Sequence, residues 1–224
     1  MSTFVTTRSE RFTRLSNQKK LVLGLLTIGM LAGTVSGIFW WKEHRYEYFP
    51  KRWGVVVPGE IYRSGQLTPQ MLDKMLKKHS IHTVIDMQLN DLHDGNQQAE
   101  VQYVAEHGWT HHRFGLAGDG TGDVSSYVGA LTTIVQCQKA GEPVLVHCAA
   151  GSQRTGGVVA FYRLLFEKAD PKDVWAEMEH YDWNVVEDWE LLEYINTNLP
   201  QIAQQLVERG VLDRVPSPLP RLEE

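Results

Sequence analysis

The sequence predicts a three-layer α/β domain with a mainly parallel central sheet flanked by helices, preceded by one transmembrane helix. Three observations predict it. Short runs rich in β-branched residues alternate with stretches of helical apolar period between residues 54 and 147. The run Pro143-Val-Leu-Val-His147 is apolar without alternation, as a central strand covered on both faces requires. Finally, Leu21–Trp41 is a run of 21 residues without a charge, enough helix to cross a bilayer core of about 30 Å.

The elements follow in order. Residues 1–20 are a basic lead-in, 21–41 the apolar helix, and 42–52 (KEHRYEYFPKR) a charged linker next to the membrane. The globular domain is expected over 53–212 and a loose tail, with three prolines after Val215, over 213–224. Residues 54–57 and 61–63 read as short strands around a Pro58-Gly59 turn. Thr68-Pro69 caps and opens a helix to His79. Residues 82–87 form a strand, 96–107 a helix stopped by Gly108, and 109–114 another strand. Asp123 caps a helix running through Ala140, and the strand 143–147 follows. Helices are expected at 155–168, 171–181, 184–198 and 200–209. Trp175, Trp183 and Trp189 take helical positions that suit core packing.

The apolar run is flanked by Lys19-Lys20 and Lys42, with Trp40-Trp41 placed as an interfacial aromatic pair. A buried core helix and a cleaved signal peptide are the competing readings. A slight excess of Lys/Arg before the run favours a cytoplasmic N-terminus and a C-terminal domain on the non-cytoplasmic side. Gly29, Gly33 and Gly37 stand four apart on one helix face, a spacing that permits homodimer packing and that also arises because Gly is common in such helices.

Composition excludes several classes. With 19 Gly, 9 Pro and 2 Cys in 224 residues, the chain is no collagen, disordered tract or disulfide scaffold. The net charge of -5 averages +6 over residues 1–52 and -11 over residues 53–224. An acidic domain argues against nucleic acid as a partner.

The chemistry lies after the central strand, in His147-Cys-Ala-Ala-Gly-Ser-Gln-Arg-Thr-Gly156. A loop between a strand and a helix can turn its N–H groups inward as an anion nest, and the helix adds its positive end. That field favours a dianion and also a thiolate. Cys148 at the start of the loop would be ionised near neutral pH, and Arg154 at its end can grip two phosphate oxygens through its planar fork. Gly151 lets the loop bend, and Thr155 can offer its hydroxyl to the sulfur. Phosphate would rest on Ala149, Ala150, Gly151, Ser152, Gln153 and Arg154.

This segment resembles the signature loop H-C-x5-R-S/T of the protein-tyrosine-phosphatase superfamily, and is most similar to its dual-specificity and bacterial tyrosine-phosphatase branches. Val57-Pro-Gly-Glu-Ile-Tyr-Arg-Ser-Gly-Gln66 resembles the opening strands of the atypical dual-specificity phosphatases. The resemblance covers roughly residues 50–185. It implies the cysteine-phosphatase fold and phosphate-monoester hydrolysis through a phosphocysteine, with no metal and no cofactor. Bacterial relatives often carry one hydrophobic anchor. His147 is implied to orient the loop. The general acid is implied to sit just before the helix that precedes the signature strand. Here that loop, residues 115–123, holds Asp119 and Asp123. Asp119 best matches the family's position, whereas Asp123 stands where a helix N-cap belongs.

Neutral residues at the loop's variable positions favour phosphotyrosine in proteins, with phosphoserine or phosphothreonine, or another small phosphate monoester, as further substrates. A membrane-tethered phosphate-binding pseudophosphatase and a phosphatase for phosphoinositides or inositol phosphates are the alternatives. His111 and His112 are strand neighbours on opposite faces and cannot share a metal. Cys137 reads as a packed small hydrophobe, although a disulfide to Cys148 would silence the nucleophile. Arg63 could anchor the active-site face or sit on the surface of its strand.

Overall fold

The computed structural model describes residues 17–223; most of the basic lead-in, residues 1–16, lies outside them. The chain divides into two compact units, residues 1–45 and 46–224.

In the first unit, α1 (Asn17–Tyr48) begins as a continuous helix. Its apolar side chains, Leu21, Leu25, Leu31 and Phe39 among them, are exposed, and none of the apolar stretch is buried. A core helix of a soluble domain would bury such residues, so that reading falls. A membrane span or a signal sequence both fit the length and composition. The hydroxyls of Thr27 and Thr34 donate back to Gly24 O and Met30 O, both at 2.8 Å, so these two polar groups are satisfied within the helix.

In the second unit, five strands form one sheet in the order β1-β2-β5-β3-β4. They are β1 (Gly54–Val57), β2 (Ile61–Gly65), β3 (Thr83–Gln88), β4 (Thr110–Leu116) and β5 (Val144–Cys148). Only β1 and β2 are antiparallel; β2, β5, β3 and β4 are parallel neighbours. Alternate residues of the buried strands serve the two faces. Val84 and Leu145 pack into a cluster with Leu72 and Leu76 of α2 (Pro69–His79) and Val104 of α3 (Gly95–Glu106). Ile85, Val144 and Val146 pack into the larger cluster on the other face. That cluster is built by α4 (Val124–Ala140), α5 (Gln153–Tyr162), α6 (Pro171–His180) and α7 (Trp189–Glu208). This is the three-layer arrangement the sequence predicts. It places β5 in the middle of the sheet, where its carboxyl end opens onto the loop before α5.

The helix starts follow their caps. The Thr68 hydroxyl accepts from Met71 N, and Asp123 accepts from Ser125 N at 2.7 Å. Asp94 caps α3, one residue earlier than expected.

Four expectations are corrected. Residues 184–198 and 200–209 do not form two helices: α7 is one helix with Pro200 inside it. Proline removes one N–H, but Leu199, Ile202, Ala203 and Leu206 are all buried across it, and core packing holds both halves on one axis. Trp175 and Trp183 are buried and meet edge-on at 5.0 Å, whereas Trp189 is exposed at the start of α7. The tail is not loose at Leu222, which is 1% exposed. Asn196 brackets it, donating from Nδ2 to Leu222 O and accepting Leu222 N on Oδ1, both at 2.9 Å. Lastly, residues 46–52, expected to be part of a linker, belong to the second unit.

One buried polar group ties α3 to the sheet. Glu100 Oε1 lies 3.0 Å from both His111 Nε2 on β4 and His147 Nε2 on β5. Asp86 of β3 is beside them, paired with Arg113 at 3.0 Å. Asp86, Glu100, His111 and His147 bring ligand-type atoms within 4.8 Å of one another. Arg113 already sits on Asp86, however, and both imidazoles share one Glu100 oxygen. The group therefore reads as a hydrogen-bonded charge cluster. Burial raises the Glu100 carboxyl, but the two imidazoles outweigh it and hold it below the usual range. Burial likewise lowers His147, but Glu100 outweighs it and lifts His147 to about 9.

Two outcomes are expected. Asn196→Ala frees both backbone groups of Leu222 and costs about 1–2 kcal/mol, read as a lower urea midpoint and faster proteolysis after residue 212. The proton on His147 is bound more tightly in the folded state than in the unfolded chain, where histidine titrates near 6.5. The stabilisation is therefore complete below about pH 6.5, and is lost as pH rises through about 9. The stability advantage of wild type over Glu100→Gln should be largest near pH 6 and shrink towards pH 9, in urea titrations at stepped pH.

Candidate active site

β5 ends on His147 and Cys148, and α5 begins at Gln153. The loop between them is laid against the end of β2, where Gly65 is the register partner of Cys148. Two glycines allow that approach. Gly151 has φ +84, and a Cβ there would lie 2.5 Å from Gly65 N; a Cβ on Gly65 would lie 2.5 Å from Ala150 O. Any side chain at either position would push loop and strand apart.

Cys148 is 1% exposed, with its sulfur ahead of the first turn of α5. Gly151 N donates to Cys148 Sγ at 3.1 Å. Burial pushes the thiol up, but the Thr155 hydroxyl, the Arg154 charge and the N–H groups of Gly151 and Thr155 more than offset it, so the thiol ionises below its usual range. The sequence singled out Cys148, Gly151, Arg154 and Thr155, and the structure brings the four together. Ser152 is buried beside them, while Ala149, Ala150, Gln153 and Arg154 are half-buried. Gln153 Nε2 donates to Asp188 Oδ1 at 2.8 Å.

His147 makes its side-chain hydrogen bond away from the sulfur. Its ring turns to Glu100, so it acts on the loop by fixing the end of β5. Arg63 is fully buried, which decides between its two readings. Its guanidinium donates to Gly151 O at 2.9 Å and stacks 3.6 Å from the Tyr181 ring centroid. Burial lowers Arg63 to about 10, against the opposing pull of Glu177. It remains a cation at neutral pH.

The loop carrying the aspartates packs on the same edge. Tyr127 of α4, fully buried, donates its hydroxyl to Gly120 O at 2.6 Å. Gly120, at φ +89, stands where a Cβ would be 3.4 Å from Gln153 C. Residue 119 is thus held next to the phosphate loop. Asp119 is exposed, and its Oδ1 accepts both Thr121 N and Thr121 Oγ1 at 2.8 Å, a turn that fixes the carboxylate. Burial raises the Tyr127 phenol well above its usual value, and the charges of Tyr194, Cys148 and Asp119 add to this. Asp123 is committed to the N-terminus of α4.

Two residues escaped the sequence reading. Lys51 Nζ donates to Ala149 O at 2.9 Å, and Arg52 Nη1 donates to Ala150 O at 2.9 Å. Both lie in the stretch taken for a linker, and a lone Lys-Arg pair after an apolar helix carries no signal that separates loop contact from surface charge. Cys137 is buried on α4 with its thiol pushed up by burial, and both cysteines are free.

Comparison with known proteins agrees with this geometry. The family model described as "Polymorphic toxin system, DSP-PTPase phosphatase" matches residues 59–167. The dual specificity protein phosphatase OPG106 of vaccinia virus (strain Copenhagen) is 30% identical over 100 residues, 44% of this chain and 55% of the viral protein. The chain thus spans about half the length of the curated relatives it matches. Among solved structures, TpbA of P. aeruginosa superposes with a TM-score of 0.56 at 18% identity, covering 70% of this chain and 91% of that one. The catalytic core of the PP-IP phosphatase SIW14 of S. cerevisiae does so with 0.57 at 17% identity, covering 76% and 97%. At such identities the structures speak for the fold alone. Signature loop, fold and family match agree on one reading: residues 59–167 match a DSP-PTPase phosphatase domain, and the domain is similar to the atypical dual-specificity branch of the protein-tyrosine-phosphatase superfamily.

Proposed function

We propose that the chain is a membrane-anchored phosphatase that hydrolyses phosphate monoesters through a phosphocysteine, with phosphotyrosine in proteins as its leading substrate. The observation that carries this is the state of Cys148: a buried thiol, at the floor of a loop that donates Gly151 N to it, ionises below its usual range. Burial alone would do the opposite. Such a sulfur is a nucleophile held in an anion site.

In this reading the loop N–H groups and Arg154 bind the three non-bridging oxygens of the ester. Cys148 Sγ attacks phosphorus in line, the bond from phosphorus to the leaving oxygen breaks, and Asp119 gives that oxygen its proton. Water then attacks the phosphocysteine while Asp119 takes up a proton, and the S–P bond breaks to release phosphate and the thiolate. Asp119 suits the role because its loop leans on Gln153; Asp123 already holds a helix end. The side chains of Ala149, Ala150, Ser152 and Gln153 add no cation for a second phosphate group. That favours phosphotyrosine over phosphoinositides and inositol phosphates, although the fold neighbours include both TpbA in complex with pTyr and PTPMT1 in complex with PI(5)P. α1 would serve as a single-pass anchor with the domain on the non-cytoplasmic side, and Gly29, Gly33 and Gly37 would allow helix pairing.

Two measurements test the assignment. Cys148→Ser should abolish hydrolysis of an aryl phosphate and of phosphotyrosine peptides; retained turnover would overturn the mechanism. Asp119→Asn should lower kcat by ~10²–10⁴, the range of a general acid, whereas Asp123→Ala should cost stability at the start of α4 and spare kcat. The reverse pattern would transfer the acid to Asp123. Phosphoserine peptides, phosphoinositides and inositol phosphates assayed in parallel rank the substrate classes, and phosphate binding without turnover on all of them would mark a pseudophosphatase.

A further inference from the structure

Three successive carbonyl groups of the phosphate loop are each held by a different cation. Lys51 Nζ holds Ala149 O, Arg52 Nη1 holds Ala150 O, and Arg63 Nη2 holds Gly151 O, all at 2.9 Å. We propose that Lys51 and Arg52 are positioning residues of the active site, which act with Arg63 to lock the loop's peptide planes in the orientation that binds phosphate. The proposal rests on the phosphatase reading for its function and on these contacts for its geometry.

The physical argument is the planarity of the peptide. In a trans peptide the carbonyl oxygen and the next N–H point to opposite sides. Holding the oxygens of residues 149, 150 and 151 on the outside turns the N–H groups of residues 150, 151 and 152 to the inside. One consequence is on view: Arg52 holds Ala150 O, and the next N–H, that of Gly151, points at Cys148 Sγ. Inward N–H groups repel one another electrostatically, and a loop with two glycine-eased contacts could relax by flipping a plane. A cation on each oxygen opposes the flip and polarises the N–H on the far side into a stronger donor.

The two residues are themselves fixed. Gly65 N donates to Lys51 O at 2.8 Å, and the rest of the Arg52 fork pairs with Asp182 at 2.7 Å. Arg52 adopts φ +44, a conformation seldom taken by residues other than glycine. Its side chain bridges the loop and Asp182, which gives the fold a reason to keep that strain. Lys51 follows the end of α1 at Tyr48 by three residues. The stretch next to the apolar helix is therefore part of the support of the catalytic loop.

The test uses the full chain in detergent micelles, with Lys51→Met, Arg52→Met, the double variant and Lys51→Arg. Three quantities are read: kcat and KM for an aryl phosphate, the affinity for inorganic phosphate, and the pH dependence of Cys148 alkylation by iodoacetamide. Each Met variant should weaken phosphate binding and kcat/KM by about 10-fold, short of the ~10²–10³ for deleting a direct donor. The double variant should lose more, the midpoint of alkylation should move to higher pH, and Lys51→Arg should restore most of the loss. The proposal fails if the double variant keeps wild-type phosphate affinity and alkylation profile. It also fails if the losses follow a lowered urea midpoint with an unmoved alkylation profile and no rescue by arginine. If the wild-type chain hydrolyses no ester, only the phosphatase reading falls, because phosphate affinity and alkylation still decide the clamp.

Discussion

The constraint on which the rest depends is the direction of a few N–H groups at the end of β5. A domain with a net charge of -11 over residues 53–224 has no long-range field to draw in a dianion. For the proposed phosphate binding the attraction has to be local, made from oriented backbone dipoles, a helix end and Arg154. Orientation in turn demands close backbone contact, which explains why Gly65 and Gly151 meet without side chains and why β2 runs parallel beside β5 to the level of Cys148. The sheet order follows the same need, because a central β5 gives its exit loop walls on both sides.

Electrostatics inside the domain is arranged in two layers around that loop. Inside it, Gly151 N, Thr155 and Arg154 favour the thiolate against the cost of burial. Outside it, Lys51, Arg52 and Arg63 hold the carbonyl oxygens, and each cation has a counter-group: Lys51 lies over the Tyr46 ring, Arg52 has Asp182, and Arg63 has Glu177 and the Tyr181 ring. Beneath the strand ends, Glu100 joins His147 to His111 and fixes the residue that precedes the nucleophile. An acidic domain can host an anion site because Lys51, Arg52, Arg63 and Arg154 are brought to one loop.

Much of the fold was legible from local patterns. The strands around 54–63, 82–87, 109–114 and 143–147 and the caps at Thr68 and Asp123 depend on side-chain period and capping chemistry, which neighbours in sequence set. The misreadings came where distant contacts override local preference. Pro200 should end a helix, but core burial on both sides of it keeps α7 whole. Prolines near the C-terminus suggest a loose tail, but Asn196 and the core cluster capture Leu222. Among the site residues, Cys148 and Arg154 were legible because they share one short loop, and Asp119 because the family places its acid there.

By itself, the sequence pointed to the chemistry: a candidate nucleophile, a cation proposed to face phosphate, and an uncharged helix ahead of the domain. These depend on residues adjacent in the chain, where spacing alone constrains geometry. Only the tertiary structure decided what supports the loop. Lys51, Arg52 and Arg63 reach Ala149, Ala150 and Gly151 across nearly a hundred residues of chain. Glu100 reaches His147 across a helix and two strands. Such contacts are made when the sheet closes, and a linear pattern holds no trace of which basic or acidic residue the closure will bring to the loop.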